Sequence, residues 1–225
     1  LGTFFLVMTV IGSGIMADRL ADDDALALLC NTLATAAILV VIITIFVSVS
    51  GAQFNPAVTA VMRLRREMDG RTALLYVVAQ IAAGCLGALA AHLMFGLAPF
   101  QVSDTPRDGF GQWLGEFIAT FGLIATILGC LRFRPGALAA GVGLYIGSAY
   151  WFTSSTSFAN PAVTIARVFT DTFTGIAPVH APSFIVAELA GAVAAAFLFG
   201  WLFDKVKEPP QRERRASGRS RPQAR

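Results

Sequence analysis

The pentapeptide Asn-Pro-Ala-Val-Thr occurs twice, at 55–59 and at 160–164, and each copy interrupts a long apolar stretch. Asparagine is a favoured N-cap. Proline is tolerated at the first helical position, where its missing N–H would be unbonded in any case. Each copy therefore predicts a helix that starts in the middle of apolar sequence. Small polar residues precede both, Ser48 to Phe54 and Thr153 to Ala159. Within a membrane, backbone that leaves the helix is tolerated only when it is buried in protein or lines a watery cavity. Two such interruptions in corresponding halves of a chain point to a pore or transport site. Each helix N-terminus carries roughly half a positive charge. Two that meet repel cations, while the Asn amides offer donors to a passing oxygen.

The composition agrees with a membrane protein. Hydrophobic residues make up 56% and charged residues 14%, against roughly 25% charged in soluble domains. The 21 glycines suit close helix packing in lipid. Cys30, Cys85 and Cys130 lie in apolar stretches; their odd number and spacing argue against a disulfide framework or a zinc site. No nucleophile–base set, metal-ligand cluster or phosphate loop is present, so no enzyme, cofactor or metal is expected, and no nucleic-acid partner.

On its two NPA strings and their contexts, the chain resembles the major intrinsic protein family, the aquaporins and aquaglyceroporins, from Leu1 to about Asp204. The resemblance implies an all-α membrane protein with six transmembrane helices and two re-entrant half-helices. These form an inverted repeat in a right-handed bundle. Asn55-Pro56-Ala57 and Asn160-Pro161-Ala162 would meet in the pore, and a homotetramer with one pore per subunit follows from the same resemblance.

The expected organisation is a first repeat at 1–97, a linker at 98–111, a second repeat at 112–204 and a basic tail at 205–225. Spans are expected at 1–17, 25–49, 72–97, 112–131, 137–152 and 183–203, with half-helices at 55–64 and 160–170. Leu1 to Ala17 is short of the about 20 residues a crossing needs, so the sequence is expected to begin inside its first helix. Lys and Arg cluster at 63–71, 132–134 and in the tail. The positive-inside rule then puts both termini in the cytoplasm, and the resemblance implies a bacterial inner membrane.

The resemblance also implies site residues. Glu116 corresponds to a buried acid that supports the second re-entrant loop by accepting backbone hydrogen bonds. Glu188 is a further acid within a span, and such residues are functional suspects; packing is an equal reading. Counting from Asn160 and Asn55 assigns the outer constriction to Thr35, Ser148, Ser157 and Val163, with Gly147 the rival to Ser148. The family almost always has arginine where this chain has Val163. Three hydroxyls and one aliphatic side chain describe a wide opening without a fixed cation. A hydroxyl both donates and accepts, so the lining suits glycerol, urea or metalloid hydroxides such as arsenous acid, besides water. The valine resembles a bacterial subgroup linked to arsenic. Arg167, one turn beyond Val163, either reaches the outer vestibule or pairs with Asp171. His92 and His180 are expected to be passive surface or interface residues, and Tyr150-Trp151-Phe152 an interfacial belt, a packing cluster or a vestibule wall. Competing readings are a mainly water-conducting channel, a broken-helix transporter and a closed junction protein.

Overall fold

The computed structural model describes residues 1–205; the expected basic tail lies, apart from Lys205, outside them. Among the described residues the chain is helical, with α1 Gly2–Leu20, α2 Asp24–Ser50, α3 Pro56–Leu64, α4 Gly70–Met94, α5 Phe110–Phe133, α6 Leu138–Phe152, α7 Pro161–Arg167 and α8 Ala181–Asp204. Five helices (α1, α2, α4, α5 and α8) are long and apolar enough to cross a membrane. The sixth, α6, has 15 residues. A short 3-10 turn at Pro135–Ala137 starts it, and Thr153 in extended conformation ends it.

The long helices are apolar on every face. On α2, Thr35, Leu39 and Ile42 are buried, while Leu33, Val41 and Ile45 point outward and are more than half exposed. A helix that is apolar all round is a membrane or deep-core helix. The halves pack alike. α1 lies against α2 and α4, α5 lies against α6 and α8, and α2 against α6 joins them. The short helices cross over: α3 contacts α4 and α8, and α7 contacts α8 and α4.

Glycine allows the closest approaches. A Cβ on Gly87 of α4 would stand 3.0 Å from the amide nitrogen of Met8 in α1. One on Gly191 of α8 would stand 3.1 Å from Cα of Phe117 in α5 and strike the Phe117 carbonyl oxygen. Backbone cannot swing aside as a side chain can, so these positions set how tightly each half closes around its short helix.

Caps fit the sequence. Asp23 accepts from the amide of Leu26, and Asp69 from those of Arg71 and Thr72. The Thr72 hydroxyl bond comes first among the causes that hold the Asp69 carboxyl below its usual range. Two expectations change. The second half-helix ends at Arg167 rather than near 170, because the amides of Val168 and Phe169 turn back tightly to Ile165 and Ala166. His92 is fully buried rather than peripheral. Its Nδ1 meets the Pro99 carbonyl at 3.0 Å and its Nε2 the Thr170 hydroxyl at 2.8 Å, which ties α4 to the linker and to the loop after α7.

Candidate channel site

The two NPA strings meet. Asn55 caps α3 by accepting from the amide of Ala57 at 2.8 Å, and Asn160 caps α7 by accepting from that of Ala162 at 3.0 Å. Pro56 and Pro161 begin the helices, as a residue with no N–H to lose should. Ala57 and Ala162 are fully buried. The Asn nitrogens then reach across. Asn55 Nδ2 donates to the Ala159 carbonyl at 2.7 Å, and Asn160 Nδ2 donates to the Phe54 carbonyl at 3.0 Å.

Those carbonyls are presented by strained backbone. Ala52 and Phe54 before Asn55, and Ser157 and Ala159 before Asn160, all have φ between 48° and 51°. Non-glycine residues rarely adopt this region, at a cost on the order of 1–3 kcal/mol each. The same two positions relative to each Asn carry the strain in both halves. Glu116 of α5 holds the second segment, accepting from the amides of Phe158 at 2.8 Å and Ala159 at 2.7 Å. The threonines of the two strings are tied alike: Gln80 of α4 donates to the Thr59 hydroxyl at 3.0 Å, and the Thr164 hydroxyl donates to Glu188 of α8 at 2.6 Å. Glu188 is therefore an anchor for α7. It is absent from the cavity wall.

A cavity of about 500 Å³ passes the junction. It is lined by Val47, Glu67 and Tyr76 where α2 ends, by Asn55 and Asn160 in the middle, and by residues around Arg167 beyond them. Each Asn amide nitrogen carries two hydrogens, and one is spent on the opposing carbonyl. The other is left for whatever occupies the cavity.

Beyond the junction, Thr35, Ser157, Val163 and Arg167 all line the wall. Ser148 does not. Its side chain is on the outer surface, and its hydroxyl donates to the Leu144 carbonyl at 2.9 Å. The cavity face of α6 is instead Leu138, Val142, Ile146 and Tyr150, a series with a period of four. Ser148 lies two residues off that series, about 200° around the helix. Gly147 faces Ala36 and Thr32 of α2. A fixed count from Asn160 fails because it runs through seven non-helical residues; the spacing of Ile146 and Tyr150 within α6 was the usable signal. Tyr150 is 4% exposed and its hydroxyl donates to Thr35 Oγ1 at 3.2 Å, whereas Trp151 and Phe152 face outward.

Arg167 is buried against the wall. Its Nε donates to the Thr174 carbonyl, and its guanidinium carbon lies 3.3 Å from the centre of the Phe158 ring. The alternative pairing does not form: Asp171 accepts from the Asp104 amide at 3.3 Å, and Arg167 has no ion-pair partner among the described residues. Arg107, from the linker, donates to the Gly175 carbonyl at 2.7 Å. Burial pushes its guanidinium pKa down, and the charge of Glu116 opposes that shift.

The model of the major intrinsic protein family matches residues 1–151 and 130–223. The chain belongs to the major intrinsic protein family. It is 55% identical over 207 residues to "Aquaglyceroporin AqpS" of Rhizobium meliloti, covering 92% of this chain and 89% of that one. It is 34% identical to "Probable aquaporin AqpM" of Archaeoglobus fulgidus, over 68% of each. The solved aquaglyceroporin of Plasmodium falciparum superposes with a TM-score of 0.62, covering 91% of this chain and 94% of that one; at 22% identity this establishes the fold alone. Major intrinsic proteins are passive membrane channels for water and small neutral solutes, not enzymes.

Proposed function

We propose that the channel conducts small neutral hydroxylated solutes, with glycerol, urea and arsenous acid as the expected set, together with water. The observation that carries this reading is Val163, which presents an aliphatic side chain in the cavity wall directly after Asn160-Pro161-Ala162. Val163, Ile146 and the Tyr150 ring give the wall apolar surface that suits C–H groups, and Thr35, beside Tyr150, adds a hydroxyl. Ser157 also lines the cavity, with its Oγ turned away into the protein. A polyol likewise combines C–H surface with hydroxyls, and the similarity to "Aquaglyceroporin AqpS" supports the reading. The basic clusters at 63–71 and 132–134 support cytoplasmic termini. A homotetramer in a bacterial inner membrane completes the proposal.

The test replaces the valine. Val163→Arg is expected to cut glycerol and arsenous acid entry into proteoliposomes by about tenfold, equivalent to ~1.4 kcal/mol on the permeation barrier. Water flux is expected to fall less. Equal solute entry in the variant and the wild type would show that Val163 does not set the width.

A further inference from the structure

Arg167 is a cation beside an open cavity, with Glu116 and Glu188 near enough to act on it electrostatically but not in contact. It ends α7 one turn past Val163, on the same helix face, and shares the cavity wall with Ser157, Phe158 and Val163. Among the described residues no carboxylate lies within ion-pair distance of it. An arginine buried for packing alone would leave an unpaired charge in a low-dielectric interior, which proteins avoid. Among the described residues its side chain's only hydrogen bond runs from Nε to the Thr174 carbonyl. The two Nη nitrogens have no hydrogen-bond partner among the described residues. Unlike the sealed Oε1 of Gln80 or Oε2 of Glu188, they border open space.

The head group is held firmly. Phe158 lies under it at 3.3 Å, and the Phe158 ring is itself set edge-on to Phe184 at 5.1 Å, with Ile176 buried beside them. Arg107 approaches the same ring at 5.1 Å and bonds the neighbouring Gly175 carbonyl. One aromatic ring and two successive carbonyls thus fix two guanidiniums. The linker and the loop after α7 are built around them.

We infer that Arg167 is the specificity-determining cation of this pore, presenting its free N–H donors to solute oxygens and opposing the passage of cations and protons one turn beyond the apolar Val163. The ligand class follows from the chemistry. Solutes must offer an oxygen acceptor, as hydroxyls, ureas and water do, and must carry no positive charge. Phe158 and Arg107 are positioning residues for it. The inference rests on the channel reading above, but it is tested through protons and water, so glycerol impermeability would fail that reading and leave this one standing.

The experiment measures proton leak with an internal pH dye and osmotic water flux in the same proteoliposomes, and takes their ratio. Arg167→Gln keeps amide donors and loses the charge; the ratio is expected to rise about tenfold, since a fixed cation in a narrow pore is an electrostatic barrier. Adding Val163→Arg to Arg167→Gln returns a cation to the wall and is expected to bring the ratio back. An unchanged ratio in Arg167→Gln would overturn the inference, as would a double variant that leaks like the single one. If Arg167→Gln does not insert, Phe158→Leu retains the charge without its platform. Its ratio is expected to rise severalfold, and a wild-type ratio there would equally overturn the assignment.

Discussion

Glu116→Ala is expected to destabilise the detergent-solubilised protein by roughly 2–6 kcal/mol, because it strands two buried amide donors at roughly 1–3 kcal/mol each. Those donors are the Phe158 and Ala159 N–H groups, which the Glu116 carboxylate now accepts at 2.8 and 2.7 Å. The residues they belong to cannot easily find other partners. Ala159 is fully buried and sits at φ 48°, with its carbonyl committed to Asn55. Losing the acid therefore releases the strained segment before Asn160 and, with it, one side of the junction. Glu116→Gln should be milder, since its single carbonyl oxygen can accept one amide while its NH₂ group faces the other. Chemical or thermal unfolding in detergent gives the order wild type, Gln, Ala. An alanine variant as stable as the wild type would mean that the two bonds do not hold the loop.

The second large effect concerns the reciprocal asparagines. Asn160→Ala removes a helix cap, worth about 1 kcal/mol, and strands the buried Phe54 carbonyl, worth roughly 1–3 kcal/mol more. Asn55→Ala does the same to α3 and the Ala159 carbonyl. Each variant should therefore lose roughly 2–4 kcal/mol on these two contributions. The two cross-bonds close one junction from opposite sides, so breaking the first loosens the geometry of the second. The double variant is expected to cost less than the sum of the singles, by at least about 0.5 kcal/mol. Strict additivity in a double-mutant cycle would mean that the two halves are held independently.

What the sequence disclosed follows local chemistry. Asn-Pro at 55–56 and 160–161 states its own cap and first helical residue, so both starts could be read directly. Long apolar runs located the spans to within a few residues. What it withheld depends on direction in space. Ser148 and Tyr150 are two residues apart on one helix, and only the rotation of α6 decides that the tyrosine faces the cavity. Arg167 had a plausible acid one turn away in Asp171, yet the chain leaves helical geometry after Arg167, and the i,i+4 relation ceases to exist. The left-handed residues at 52, 54, 157 and 159 carry no glycine to announce them. The cross-bonds that compensate their strain lie in the other half of the chain.

The pore is expected to be wide enough for a polyol as well as water. Stopped-flow light scattering of wild-type proteoliposomes in an inward glycerol gradient reads both in one trace: shrinkage reports water leaving and re-swelling reports glycerol entering. Both phases are expected to run well above those of empty vesicles. Fast shrinkage with re-swelling at the empty-vesicle rate would contradict this, and would leave a channel that the side chains around Val163 close to everything but water.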